Sequence, residues 1–171
     1  MILSNKDIKE RMRKGEIKIR PFREEQLGSA TVDLTLSDEW EFFKKKLIGT
    51  RVDLEKVPFQ EAVEKVRADY AMLAPGEIVL AKTLEKITLP AHIMGKLEGR
   101  SRYARMGLSI HITSAIVQPG SSNHQVLEIL NSAPFTVILH KGMRLSQIVF
   151  YELKTPSSKP YAKFGKIARR Q

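Results

Sequence analysis

The chain reads as an all-β protein, a β-sandwich or jelly roll with a few short helices. Thr31–Leu36 alternates Val32, Leu34 and Leu36 against Thr31, Asp33 and Thr35, the period-two pattern of a strand with one buried face. From residue 70 onward, short apolar runs recur roughly every ten residues, the spacing of an antiparallel sandwich or jelly roll. Pro75-Gly76, Pro119-Gly120 and Lys141-Gly142 separate those runs as turns.

Each element has its own signal. Ser4 is placed to cap a helix over Lys6–Lys14, with Asp7 in its first turn, Gly15 as the stop, and Ile8 and Met12 on one face. Glu16–Arg20 reads as a strand with Ile17 and Ile19 on one side, ending at Pro21. Residues 38–68 are mixed and highly charged and read as an insertion with one helical piece near Gln60–Arg67. Strands are predicted at Glu77–Lys82, Lys86–Leu89 and Gly95–Leu97, then a short helix at Ser101–Met106 stopped by Gly107. Further strands are predicted at Ser109–Val117, Gln125–Leu130, Phe135–Leu139 and Gln147–Leu153. There is no internal repeat. After Pro156, Ser157-Ser158-Lys159-Pro160 opens a segment expected to be a mobile arm over 156–171.

A chain of 171 residues is expected to form one domain spanning 1–171, with a real core. Its 42% hydrophobic and 28% charged content is ordinary for a soluble globular protein. No apolar run approaches the ~18 residues of a bilayer span, so no membrane partner is expected. The N-terminus lacks a basic region followed by an apolar one, and a cytoplasmic location is expected. With no cysteine, disulfides and thiolate metal sites are excluded. His92, His111, His124 and His140 show no metal-ligand spacing, so no protein-held metal is expected. The net charge of +10 suits a phosphate-bearing partner or a lysine-rich solvated surface. No aromatic-interleaved motif accompanies the basic clusters, so a nucleotide explains the charge as well as nucleic acid does, and nucleic acid is not expected.

Two segments carry candidate chemistry. Gly99-Arg100-Ser101-Arg102-Tyr103-Ala104-Arg105 brings three arginines and a serine to a strand-to-helix turn. Ser101 there is expected to cap the helix, whose free N–H groups can hold an anion, and Arg105 follows one turn later on the same face. Val126-Leu127-Glu128-Ile129-Leu130 places one carboxylate in an apolar run, as in a strand buried on both faces. From spacing alone, Glu128 is either a salt-bridged structural residue or a group suited to moving protons near neutral pH. His111, between Ile110 and Ile112, fits a hydrogen-bonded core histidine better than a catalyst.

These residues, with Ile110-His111-Ile112-Thr113 and Pro119-Gly120, resemble the core signature of the dCTP deaminases, of the same superfamily as the trimeric dUTPases. Met1-Ile2-Leu3-Ser4, Ala30-Thr31-Val32-Asp33-Leu34, Leu73-Ala74-Pro75-Gly76-Glu77 and Thr88-Leu89-Pro90 are similar to further family segments, so the likeness spans nearly the whole chain except about residues 38–68. The resemblance implies a distorted jelly roll of the dUTPase-like type and a homotrimer with active sites between subunits. It implies deamination of dCTP to dUTP and ammonia, with Glu128 as proton shuttle and Arg105 and Ser101 beside it; with no cysteine and no histidine ligand spacing, that deamination is expected to proceed without zinc. It further implies nucleotide contacts from Arg100, Thr113, Val126, Gln147, Tyr161 and Lys163, and Mg2+ carried on the phosphates; of the positions that depart from the family, Arg102 is read as either a phosphate contact or a solvent-facing residue, and Gln118 as a contact to the sugar.

The chain departs from the family at Arg102, where a second Ser is usual, at Ser114, where Ala is usual, and over Ser121-Ser122-Asn123, which lacks the family's aromatic and glycine. Gln118 stands where the family and the dUTPases have Asp, and a Gln cannot accept a proton at neutral pH. That loss favours deamination over hydrolysis of dUTP. The alternatives are a dUTPase, an enzyme performing both steps, or a degenerate member that only binds a nucleotide or a protein. Gly142-Met143-Arg144-Leu145-Ser146-Gln147 resembles a Gly-x-Arg-Ile-x-Gln motif shared with dUTPases, in which Gln147 can meet a phosphate.

Overall fold

The computed structural model describes residues 1–164, with side chains to residue 162. Its strands are β1 (Lys18–Arg20), β2 (Thr31–Phe43), β3 (Val63–Arg67), β4 (Tyr70–Leu73), β5 (Ile78–Thr88), β6 (Ile93–Gly99), β7 (Leu108–Ile110), β8 (Ile116–Val117), β9 (Ser122–Asn131), β10 (Val137–His140) and β11 (Arg144–Glu152). The helices are α1 (Asn5–Arg13), α2 (Phe59–Ala62), α3 (Ser101–Ala104) and α4 (Tyr161–Phe164). No helix among the described residues is long and apolar enough to cross a membrane.

All strand pairs are antiparallel. Nine strands form one sheet in the order β7-β9-β5-β2-β11-β6-β8, with β1 on β5 and β3 on β2, while β4 and β10 pair separately. The long strand β2 joins the two layers. Its first half pairs with β11, Asp33 opposite Gln147, and its second half pairs with β5, Trp40 opposite Ala81. The β2–β5 register slips between Leu36 and Trp40, and such an irregularity bends a strand and lets it pass from one layer to the other.

The core follows the alternation of the sequence. Val32, Leu34, Leu36 and Trp40 are buried in one cluster with Ile129, Ile148 and Phe150, whereas Thr31, Asp33 and Thr35 stay half-exposed. Burying one such apolar side chain contributes about 1.5–3 kcal/mol. At α1, Ser4 Oγ accepts from the Asp7 N–H at 3.3 Å and Asp7 Oδ2 accepts from the Ser4 N–H at 2.9 Å, a reciprocal cap.

Residues 38–68 differ from expectation. β2 continues to Phe43, and the segment predicted helical is a single turn, α2, followed by β3. Strand pairing prevails there because Phe43 lies opposite Val63 and Trp40 opposite Val66, which buries Val63 and seals Trp40. The Trp40 indole N–H donates to the Ala68 carbonyl at 3.0 Å. The predicted strand Ser109–Val117 is also two pieces. β7 pairs with β9 and β8 with β6, so the chain must cross between layers at 111–115. The tail is tied down in its described part: Ser157 N–H donates to Ala91 O (2.8 Å), Tyr161 N–H to Pro119 O (2.9 Å) and Ala162 N–H to Gly120 O (3.2 Å). Residues 165–171, the remainder of the expected mobile arm, lie outside the described residues.

Candidate active site

A groove of about 1010 Å3 runs over the face of β5 and β9 that carries Leu80, Lys82, Val126 and Glu128. Strand register places Glu128 opposite Leu80 and Val126 opposite Lys82. The 111–118 crossing supplies one wall through His111, Ser114, Ile116 and Gln118, and Tyr161 reaches in from the tail. Trp40, Phe59, Val63 and Arg67 supply the other wall.

β9 is not buried on both faces as its composition suggested. Leu127 and Ile129 point into the core, while Val126, Glu128 and Leu130 are half-exposed on the groove side. The Glu128 side chain retains 28% exposure. Its Oε2 accepts from the backbone N–H of Ile112 at 3.2 Å and of Thr113 at 3.3 Å. Two backbone donors on one oxygen fix the carboxylate's orientation and leave the other oxygen for a ligand.

His111 completes this arrangement. It is the only non-glycine among the described residues with a left-handed backbone, at φ 42°. The Glu128 N–H donates to His111 Nδ1 at 3.3 Å, so Nδ1 carries no proton and the ring is neutral with its proton on Nε2. The 3.9 Å approach of Nδ1 to Glu128 Oε2 is therefore not an ion pair in this state. Burial pushes the imidazole below its ordinary 6.5, against the pull of the Glu128 charge, which agrees with the neutral ring. His111 is thus a buried, hydrogen-bonded residue, as its apolar flanks suggested.

The arginine-rich segment lies elsewhere on the chain. Arg100, in extended conformation, is the residue at the cap position of α3, and Ser101 is the first helical residue and makes no side-chain cap bond, contrary to expectation. The reason is the attachment of Arg100. Its N–H donates to Leu145 O (3.3 Å), its Nη1 donates to Arg144 O (2.8 Å), and its Nη2 lies 3.2 Å from Asp33 Oδ2. Arg105 stands one turn beyond Ser101, whose carbonyl accepts its N–H at 3.0 Å. Ser101, Arg102 and Arg105 are exposed, and Arg102 lies over the Tyr103 ring. Gln147 Nε2 donates to Gly99 O at 2.9 Å on the same side of the molecule.

Of the expected contact residues, the groove holds Glu128, Gln118, Val126 and Tyr161, and the backbone of Thr113 binds Glu128. It does not include Ser101, Arg105, Arg100, Arg102 or Gln147. Lys163 lies in α4, and its side chain is outside the described residues. Sequence reasoning gave no role to Lys82, Glu39 and Arg67, which line the groove as linked ion pairs of 3.0 and 3.1 Å, nor to Asp33 as the partner of Arg100. The polar face of the β2 alternation was the available signal for Asp33. Nothing in the sequence signalled the others, because they meet only across strands. No group of three or more His, Cys, Asp or Glu among the described residues is arranged to hold a metal ion.

Comparison with known proteins gives this geometry a setting. A dCTP deaminase from Agrobacterium tumefaciens superposes with a TM-score of 0.68 at 22% identity, covering 87% of this chain and 47% of that one. This chain therefore spans about half of that longer protein. A dUTPase from phage phi11 of S. aureus superposes with a TM-score of 0.54 at 16% identity, covering 88% and 99%. The fold is the dUTPase-like one. A sequence profile described as dCTP deaminase-like matches residues 2–153. Relatives named "dCTP deaminase, dUMP-forming" come from Corynebacterium glutamicum, 36% identical over 169 residues, and Methanosphaera stadtmanae, 39% identical over 166 residues. They cover 98% and 94% of this chain and 88% and 83% of their own. The chain belongs to the dCTP deaminase-like family.

Proposed function

We propose that this protein removes the amino group of dCTP without zinc, with Glu128 as the proton carrier. The observation that supports this best is the Glu128 carboxylate, held by two backbone N–H groups on the floor of a groove, with one oxygen left for a ligand. One Glu128 oxygen takes a proton from water, and the resulting hydroxide attacks C4 of cytosine. Glu128 gives that proton to N3, then takes the proton of the new C4 hydroxyl and passes it to the departing amine as the C4 carbonyl forms, so dCTP and water give dUTP and ammonia. The backbone of 111–118 stands beside Glu128, where a pyrimidine edge would be read. Gln118 can hydrogen-bond the sugar, and Tyr161 and Val126 close the groove around it.

Ser101, Arg105, Arg100, Arg102 and Gln147 are carried on a second surface of the same chain. A homotrimer with sites between subunits would bring that surface of one copy to the Glu128 groove of the next and supply the phosphate contacts. Through the family likeness, Mg2+ would be held by phosphate oxygens and not by a protein cage. That ion, when bound, would offset the triphosphate charge. Lys163 belongs to this phosphate set through the family likeness alone.

A second reading is favoured by the dUMP-forming names of the relatives. In it the same site goes on to hydrolyse dUTP to dUMP and pyrophosphate. Gln118, which cannot serve as a base, favours a stop at dUTP.

Incubation with dCTP and Mg2+, with chromatographic separation of products, tests the proposal. Ammonia with dUTP or dUMP is expected, at a rate that does not track zinc content. Absence of deamination, or one zinc per chain with activity proportional to it, would overturn it.

A further inference from the structure

The geometry points to Arg144 as a further phosphate-binding arginine, made available by the carboxylate it shares with Arg100. This inference rests on the reading that the Arg100–Arg105 surface meets a triphosphate.

Three observations carry it. First, Arg100 Nη2 and Arg144 Nη1 approach the same oxygen, Asp33 Oδ2, at 3.2 and 4.0 Å. Two guanidinium groups thus share one carboxylate. The neighbouring carboxylate in this row of strands, Glu98, is already paired with Lys96. The cluster carries one positive charge in excess.

Second, the register sets Arg144 beside the start of α3. Ser146 pairs with Gly99 and the Arg100 N–H reaches Leu145 O, so the next residue back on β11 stands across from Ser101. Arg144 and the expected phosphate contacts therefore share one surface.

Third, the arginine is oriented but not used up. Its Nη1 donates to the Glu25 carbonyl at 2.7 Å, which sets the plane of the guanidinium. Its side chain is 39% exposed, against 33% for Arg100 and 14% for Asp33. Guanidinium has five donors in a fixed fork that matches phosphate oxygens, and no other donor of Arg144 is engaged among the described residues. Burial pushes the Asp33 carboxyl up from its ordinary 3.8, and the two guanidinium groups counter that rise. With Arg144 removed, Arg100 would face Asp33 as a neutral pair, and this cluster would add no net charge to that of the exposed Arg102 and Arg105.

The experiment is calorimetric titration of dCTP and deoxycytidine into the unaltered protein and into Arg144→Ala and Arg144→Lys. Loss of one charged hydrogen bond to phosphate predicts dCTP affinity about 10- to 150-fold lower in Arg144→Ala. Deoxycytidine affinity should change less than about threefold, and Arg144→Lys should recover part of the dCTP loss because the charge returns without the fork. Adding Asp33→Asn to Arg144→Ala restores the net charge and should also recover part of the loss. Folded Arg144→Ala that binds dCTP as the unaltered protein does would overturn the inference, as would equal losses for both ligands. If Arg144→Ala does not fold, Arg144→Gln replaces it under the same two criteria. Unaltered protein that binds deoxycytidine as tightly as dCTP would overturn the triphosphate reading itself, a result separable from the behaviour of the variants.

Discussion

Glu128 and His111 hold each other. The backbone N–H of Glu128 donates to His111 Nδ1, and the two N–H groups that follow His111 in the chain donate to the Glu128 carboxylate. The left-handed His111 turns the backbone so that both donors point at one oxygen. An L residue in that conformation costs about 1–2 kcal/mol, and the three hydrogen bonds offset the strain.

Glu128→Gln keeps the volume and removes the proton acceptor. General acid–base catalysis is worth roughly 10²–10⁴-fold, so deamination turnover should fall at least that far. Binding of dCTP should change only a few-fold, as read by calorimetry. Near-normal turnover in a steady-state ammonia assay would remove Glu128 from the proposed role.

The His111 clamp should be pH-sensitive. The imidazole's folded value lies below its ordinary 6.5, so the unfolded chain takes up a proton first as pH falls. The contribution of neutral His111 to stability is therefore fully present above 6.5. It is lost as pH drops below 6.5 toward the lower folded value. His111→Asn keeps a side-chain acceptor and tolerates a left-handed backbone, but does not titrate. Melting temperature between pH 7.5 and 5 should fall more steeply for the unaltered protein, each kcal/mol lowering it by about 2–4 °C. Parallel curves for the two proteins would show that His111 does not titrate in this way.

Gln118 decides between the two products. If it withholds the base that dUTP hydrolysis needs, the unaltered protein should release little pyrophosphate from dUTP, and Gln118→Asp should raise that release. A coupled pyrophosphate assay measures both. Rapid release by the unaltered protein would establish the dUMP-forming reading and show that Gln118 does not limit the second step.

Gly120 is the seat of the tail. It has φ 78°, and a Cβ there would stand 2.5 Å from Pro160 Cβ and 3.1 Å from the Tyr161 nitrogen. Gly120→Ala should displace Pro160–Tyr161, withdraw Tyr161 from the groove and speed proteolysis near residue 160. The left-handed backbone alone costs the variant about 1–2 kcal/mol. KM for dCTP should rise while the core strands keep their protection in hydrogen exchange. Unchanged proteolysis and KM would mean that the tail does not depend on this contact.

The all-β class, the capped first helix, the strand Thr31–Leu36 and the turns at residues 75–76, 119–120 and 141–142 were legible because each rests on local chemistry: a period of two, a capping pair, a residue that tolerates positive φ. The likeness of Gly99–Thr113 and Val126–Glu128 to the dCTP deaminases named the family for the same reason, since a motif is contiguous. Residues 38–68 were not legible. Whether Gln60–Arg67 is helix or strand depends on β2 being there to pair with it, and local propensity is too weak to outweigh a ladder of hydrogen bonds and the burial of Trp40 and Val63. The same holds at the site. The sequence by itself determined that a carboxylate lies in an apolar run and that three arginines lie near a serine. Only the tertiary structure decided that β9 keeps one open face, that Arg100 is tied to Asp33 beside Arg144, and that Glu128 and Ser101 lie on different surfaces of one chain. Those are contacts between distant segments, fixed by strand register and by how β2 bends from one layer into the other.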